Sequence, residues 1–363
     1  MDYKAPMPYF GGKSTIANEV WKRLGPDVTN YVEPFFGSGA VLLNRPNWTP
    51  ESGYTETVND MSGFVANFWR AVRADPECVA YHADNPVNEN DLHAKHAWLV
   101  NQEIDLRANL EGDPEWFNAK IAGWWVWGTC CWIGGGWCSG KGPWQRMETD
   151  DGWQLLNLGN KGQGVNRKRV HLHRGRGVNR KRVDLGDKGQ GVNRKRVHLG
   201  NTGRGVNRKL VHLGDKGRGA DGTGENGIYA WMEALAERLR GVRVCCGDWS
   251  RVTGPTPTIT MGMTGVFLDP PYTAEANRAA DVYEQDSLTV GHDVAAWCKE
   301  NQDNPLMRIA LCGYDGEYDL PGWECKVWKA TNGYQSDNGH KERIWFSPNC
   351  LRPMDMRQIG MFD

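Results

Sequence analysis

The sequence predicts an α/β fold: an open sheet with helices on both faces, interrupted by a long, largely helical insertion that carries a basic, glycine-rich repeat. Three observations predict it. Short apolar runs end in acidic residues: Tyr31-Val32-Glu33, Tyr54 to Val58 with Asn59-Asp60 behind it, Val242 to Cys246 with Gly247-Asp248, and Gly265 to Leu268 with Asp269. Stretches with apolar residues at helical spacing alternate with these runs, which is the βα pattern of a parallel sheet. Between them, residues 160–219 hold 18 Lys and Arg against three acids, although the whole chain has a formal net charge of -1.

Composition sets the outer limits. A chain of 363 residues has room for two or three domains and an ample core. Hydrophobic content of 39% and charged content of 24% suit a globular protein. No run approaches the ~18 apolar residues of a membrane span, and Met1-Asp2-Tyr3-Lys4 does not resemble a signal peptide, so a cytoplasmic location and no membrane partner are expected. None of the ten cysteines forms a Cys-x-x-Cys pair. Cys130, Cys131 and Cys138, and the pair Cys245 and Cys246, read as buried thiols and not as a zinc site. No metal is expected.

The elements follow in order. Pro8-Tyr9-Phe10-Gly11-Gly12-Lys13-Ser14 precedes a helical pattern from Ile16 to Leu24. Glycines at that place let the backbone approach a ligand, and Lys13 is within reach of an anionic group. The upstream glycine of a P-loop is missing, because Met7 stands in its position. Tyr31 to Glu33 then opens into Pro34-Phe35-Phe36-Gly37-Ser38-Gly39-Ala40 and a helical Val41-Leu42-Leu43, a strand, glycine loop and helix of the kind that cradles a nucleoside-like ligand. Asp60, about twenty residues on, is placed to accept from ribose hydroxyls or to cap the helix expected from Met61 to Val72.

From Asp75 to Gly123 the pattern is helical, with Leu92, His96, Leu99 and Ile104 among its apolar positions. It empties through a tryptophan-rich stretch into Gly134-Gly135-Gly136, and most of these tryptophans read as core, with Trp132 or Trp137 as candidate base contacts. Gly227 to Arg240 is a further helix, Leu288 to Glu300 another, and Leu306 to Leu311 a buried strand. Glu324 to Ala330 and Glu342 to Phe346 make an antiparallel pair.

The stretch Phe267-Leu268-Asp269-Pro270-Pro271-Tyr272 concentrates the chemistry. Proline lacks the N–H that a ladder needs and fixes φ, so the strand stops and Asp269 and Tyr272 are held on a stiff loop at its carboxyl end. In open α/β sheets ligands bind at that edge.

Taken together and in this order, Tyr9-Phe10-Gly11-Gly12-Lys13, Glu33-Pro34-Phe35-Phe36-Gly37-Ser38-Gly39-Ala40, Asn59-Asp60 and Asp269-Pro270-Pro271-Tyr272 resemble the S-adenosylmethionine-dependent DNA adenine N6-methyltransferases of the alpha class. The resemblance implies a Rossmann-like methyltransferase sheet, with a catalytic S-adenosylmethionine-binding domain in residues 1–75 and 225–363 and a target recognition domain inserted at 76–224. It implies S-adenosyl-L-methionine as cofactor, held by Tyr9, Lys13, Glu33, Phe35, Gly37, Gly39, Asp60, Asp248 and Asp269. The partner is double-stranded DNA, and no obligatory protein partner is evident.

By the same resemblance, catalysis falls to Asp269 and the carbonyl of Pro270 as acceptors for the two N6 hydrogens, to Pro271 as rigid support and to Tyr272 as a stacking platform for the extruded base. An N4-cytosine or RNA methyltransferase, or a silent DNA-binding protein, are the alternatives; the aspartate at the first motif position favours adenine. The family includes enzymes carried by bacteriophages, where methylation belongs to restriction-modification and its evasion in a bacterial host.

The repeat has its own reading. Gly-Val-Asn-Arg-Lys-Arg-Val begins at Gly164, Gly177 and Gly191, and a variant begins at Gly205. It holds too few apolar side chains for a core of its own. Its charge points to the DNA backbone through Arg167, Lys168, Arg169, Arg180, Lys181, Arg182, Arg194, Lys195, Arg196, Arg208 and Lys209.

Overall fold

The computed structural model describes residues 3–8, 13–113, 115–132, 137–138, 144–149, 152–157, 227–272, 290–328 and 342–352. The strands are β1 (Asn30–Glu33), β2 (Thr55–Asp60), β3 (Trp144–Thr149), β4 (Gly152–Asn157), β5 (Val242–Cys246), β6 (Thr264–Leu268), β7 (Met307–Tyr314), β8 (Glu324–Val327) and β9 (Glu342–Phe346). The helices are α1 (Ala17–Leu24), α2 (Ala40–Leu43), α3 (Gly63–Ala74), α4 (Pro76–Ala83), α5 (Glu89–Gly112), α6 (Ala119–Cys131), α7 (Ile228–Leu239) and α8 (Val290–Asn301).

Seven strands form one sheet in the order β5-β2-β1-β6-β7-β9-β8. The first five in that order run parallel, β9 is antiparallel to β7, and β8 is antiparallel to β9. From β1 the chain moves outward through β2 to β5, then returns to the far side of β1 for β6 and continues to β7. The strand order therefore reverses between β1 and β6, and the carboxyl ends of both strands open on the same crevice.

Period-two alternation assigns the two faces. Tyr31, Phe267, Ala310, Cys312, Ile344 and Phe346 face one apolar cluster with α1, α2, α3, α6 and α7. Their neighbours Val32, Val266, Leu268, Ile309, Leu311 and Trp345 face the other, with Val294 and Cys298 of α8. Strands buried on both faces read as continuous apolar runs, which is why β1, β6 and β7 were visible in the sequence. The exposed edge strand β8 carries Glu324 and Lys326, charges that discourage a further strand from adding. Arg23 of α1 clamps Glu324 with two bonds of 2.8 and 2.6 Å.

Local signals explain the helices beside the crevice. Ser62 caps α3 by accepting from the Val65 N–H, so the cap falls on Ser62 and leaves Asp60 for other work. Asp75 ends α3 because Pro76 follows it, and its side chain caps α4 through the Cys78 N–H at 3.1 Å. Asn118 caps α6 through Ile121, and it exchanges two bonds with Asn67 of α3 at 3.0 and 2.8 Å. Gly123 of α6 lets α4 approach closely: a Cβ there would stand 2.7 Å from the Val79 carbonyl oxygen. As a result Val79, Ala80, Leu99, Ala122 and Val126 belong to the same core as α3 and α7.

The hairpin of β3 and β4 was not anticipated; Thr149 pairs with Gly152, so only two residues join its strands. Trp127 and Trp132 are buried beside Leu92, as a tryptophan core requires. None of the described helices is long and apolar enough to cross a membrane, and no cluster of metal-ligating side chains occurs among the described residues. The basic repeat, Tyr9 and the triple-glycine stretch lie outside the described residues.

Candidate active site

The glycine loop after β1 is held from beneath. Phe36 N donates to the Asn59 carbonyl at 2.9 Å, Gly37 N donates to Asp60 Oδ2 at 2.9 Å, and Trp69 Nε1 of α3 donates to the Gly37 carbonyl at 2.9 Å. Gly37 and Gly39 take φ of +49° and +69°, which glycine adopts without cost. A Cβ on Gly39 would also lie 2.9 Å from the Phe36 ring, so this glycine is set by packing as well as by conformation.

Carboxylates line the crevice. Glu33 ends β1, is 2% exposed, and accepts from the Tyr31 hydroxyl at 2.9 Å. Burial holds its carboxyl well above the usual range, and the nearby Asp269 and Asp60 reinforce that. Asp60 ends β2, and its second oxygen accepts from Ser62 N at 2.9 Å. Burial pushes it up to about 6 against those two backbone bonds. Asp248 is exposed just past β5 and accepts from Ser250 N at 2.9 Å, capping a short 3-10 turn. Phe35, two residues after Glu33, and Trp249, next to Asp248, stack with ring centroids 6.4 Å apart.

Asp269, one residue beyond β6, stands across the switch point. Lys13 Nζ lies 2.9 Å from its Oδ1 and donates to the Tyr272 hydroxyl at 3.2 Å. Burial raises the Asp269 carboxyl, and Lys13 followed by the Tyr272 hydroxyl opposes the rise. The Tyr272 ring is 7% exposed, packs edge-on to Tyr314 at 4.4 Å, and donates its hydroxyl to Glu342 Oε2 at 2.7 Å.

Of the residues marked in the sequence, the fold brings Lys13, Glu33, Phe35, Gly37, Gly39, Asp60, Asp248, Asp269, Pro270, Pro271 and Tyr272 to the strand ends of one sheet edge. Tyr9 and the eleven basic residues of the repeat lie outside the described residues. Three residues escaped the sequence reading: Tyr314, Trp328 and Glu342. The signal for Glu342 was present, since alternation places it on the same inward face as Ile344 and Phe346.

This edge gathers buried carboxylates, a lysine and aromatic rings at the strand ends on both sides of the switch point. Residues 9–107 match the family model for D12 class N6 adenine-specific DNA methyltransferases. The chain carries that methyltransferase domain. No curated protein sequence matches it. The methyltransferase matches through β1, β2 and α3 and into α5, short of the Asp269 stretch. That stretch follows β6, which pairs directly with β1. Transfer of a methyl group from S-adenosylmethionine to N6 of adenine in DNA is the activity of this class, and DNA is its substrate.

Proposed function

We propose that this methyltransferase carries out its reaction with Asp269 and the carbonyl of Pro270 as acceptors for the two N6 hydrogens of an adenine extruded from DNA. The amine is a poor nucleophile while its lone pair is delocalised into the purine ring. Two acceptors on one side hold the hydrogens and direct the lone pair away from the ring. The observation that carries this reading is Asp269 at the switch-point end of β6, with Lys13 at 2.9 Å.

A carboxyl is an acceptor at both oxygens only when ionised, and burial works against that at Asp269. The Lys13 ammonium offsets it, so Lys13 serves the acceptor as well as the crevice. Pro270 and Pro271 fix the loop that carries both groups. Extruding the base costs a few kcal/mol, and stacking on Tyr272 returns roughly 1–3 kcal/mol. Those terms nearly cancel, which leaves net affinity to phosphate contacts.

The donor set suits S-adenosyl-L-methionine. That cofactor supplies an activated methyl on a sulfonium and carries an ammonium group, and both are cations facing an edge of carboxylates. Glu33, buried and with neighbouring acids rather than bases raising its carboxyl, suits a positive group. Asp60, Asp248, Phe35, Gly37 and Gly39 complete the proposed pocket with Tyr9 and Lys13. Direct displacement between aligned atoms requires no covalent enzyme intermediate.

The remaining assignments follow the same reading. Residues 1–75 and 225–363 form the catalytic domain, and 76–224 the inserted recognition region, anchored by α4–α6 in the shared core. The basic repeat at 160–219 contacts the DNA backbone. A reducing cytoplasm, that of a bacterial host if the enzyme is phage-encoded, suits ten cysteines that form no disulfide.

Mass spectrometry of nucleosides from DNA of expressing cells tests the reading. N6-methyladenine is expected with the wild-type protein and none with Asp269→Ala, while the variant keeps its fold and most of its cofactor affinity. N4-methylcytosine as the product, or undiminished N6-methyladenine with Asp269→Ala, would overturn it.

A further inference from the structure

We infer that Glu342, on the last strand of the sheet, is a positioning residue for methyl transfer that acts through Tyr272. The inference rests on the reading of Asp269 and Tyr272 above and adds a residue from a strand 70 positions away. Glu342 is 5% exposed and accepts the Tyr272 hydroxyl at 2.7 Å. Its main-chain carbonyl accepts from the Trp328 N–H at 3.2 Å. The Glu342 side chain thus holds the Tyr272 ring while its backbone pairs with that of Trp328, and both rings face the same ammonium: Lys13 Nζ lies 5.6 Å from the Tyr272 ring centroid and 5.1 Å from that of Trp328.

The shorter hydrogen bonds run in one direction, the Tyr272 hydroxyl standing 2.7 Å from Glu342 Oε2 against 3.5 Å from Asp269 Oδ1. Lys13 donates to the Tyr272 oxygen, and Tyr272 donates to Glu342. A phenol has one proton, so committing it to Glu342 leaves the oxygen lone pairs for Lys13. Lys13 is held in turn where it meets Asp269. An acid buried in an apolar strand is costly unless it is bonded, and the bond that Glu342 finds is to the site residue Tyr272. Its inward place beside Ile344 and Phe346 therefore suits function better than stability. The bond also fixes the plane of the ring on which the extruded base is to stack, together with the edge-on contact to Tyr314.

Three variants decide it: Glu342→Leu, Tyr272→Phe and the two combined, with Glu342→Gln as the conservative replacement whose amide oxygen can still accept the Tyr272 proton. Single-turnover methylation is measured on a DNA substrate, with separate titrations of S-adenosylmethionine and DNA binding. Glu342→Leu is expected to slow methyl transfer at least ~10-fold while both affinities stay within about twofold. Tyr272→Phe should cost a similar factor, the combination should be no slower than the slower single variant, and Glu342→Gln should recover much of the rate.

A rate for Glu342→Leu within about twofold of wild type overturns the inference. So do losses that multiply in the combined variant, or a Glu342→Gln as slow as Glu342→Leu. Should Glu342→Leu fail to fold, Tyr272→Phe, which keeps the ring, decides alone, and normal turnover there is the overturning result. Failure of the methylation reading looks different, since no N6-methyladenine would form even with the wild-type protein.

Discussion

Replacing Asp269 by Asn exchanges one carboxylate oxygen for an NH2 group and tests how Lys13 constrains the acceptor. Lys13 Nζ lies 2.9 Å from Asp269 Oδ1, and an ammonium donates only. In the Asp269→Asn variant the amide oxygen must therefore turn toward Lys13, and the NH2 group turns toward the substrate. A donor then meets the donors of N6. The loss of one bond to a charged acceptor costs about 1.5–3 kcal/mol, and a buried donor left unpaired adds about 1–3 kcal/mol. A combined cost of about 3–4 kcal/mol corresponds to roughly 10²–10³ in rate. Transfer of a labelled methyl group to DNA in single-turnover mode measures it, with cofactor affinity titrated separately. Adding Lys13→Gln removes the ammonium that orients the amide, so the double variant is expected to be about tenfold faster than Asp269→Asn alone. An Asp269→Asn enzyme within about fivefold of wild type, or a double variant slower still, would refute the reasoning.

Further predictions concern the frame of the site and its surroundings. Glu56 of β2 is buried between Arg45 at 3.0 Å and Arg238 of α7 at 2.6 Å, so Glu56→Gln leaves two buried guanidinium groups sharing a neutral partner. A destabilisation of about 3–5 kcal/mol is expected, read as a lower urea midpoint at constant slope, and a change under about 1 kcal/mol would count against it. His96 is wholly buried between the rings of Trp132 and Trp137, and burial lowers its pKa to about 3. Its folded value is depressed, so its contribution is present above the unfolded value near ~6.5 and is lost as pH falls toward about 3, at about 1.4 kcal/mol per pH unit. Asp60, raised to about 6, works in the opposite direction, so the measurement is the difference between wild type and His96→Gln. Parallel stability curves for the two below pH 6 would exclude the effect. Deleting residues 162–217 should weaken DNA binding and flatten its salt dependence, by about 0.9 in log–log slope for each phosphate that the repeat neutralises. An unchanged slope would make the repeat a linker.

The centre of the sheet was legible because β1, β6 and β7 are buried on both faces, and β1 and β6 run into the acids Glu33 and Asp269. Val32, Val266 and Ile309 are wholly buried, and such runs cannot alternate with polar residues. The loop residues Gly37, Gly39 and Asp269 were legible for a related reason: each sits where a strand stops, and chain chemistry announces the stop. What stayed hidden depends on pairing between distant strands. Nothing within five residues of Glu342 shows that it meets Tyr272, because their meeting requires β9 to lie antiparallel beside β7 and β7 to lie beside β6. Lys13 was read as part of the cofactor pocket from its glycines, whereas its 2.9 Å approach to Asp269 depends on the return of the chain to the far side of β1. The strand-end acids thus follow from local sequence, while the network that tunes Asp269 follows from topology. A relative that kept Asp269-Pro270-Pro271-Tyr272 but had neither Lys13 nor Glu342 at the equivalent places would be expected to keep the fold and turn over slowly.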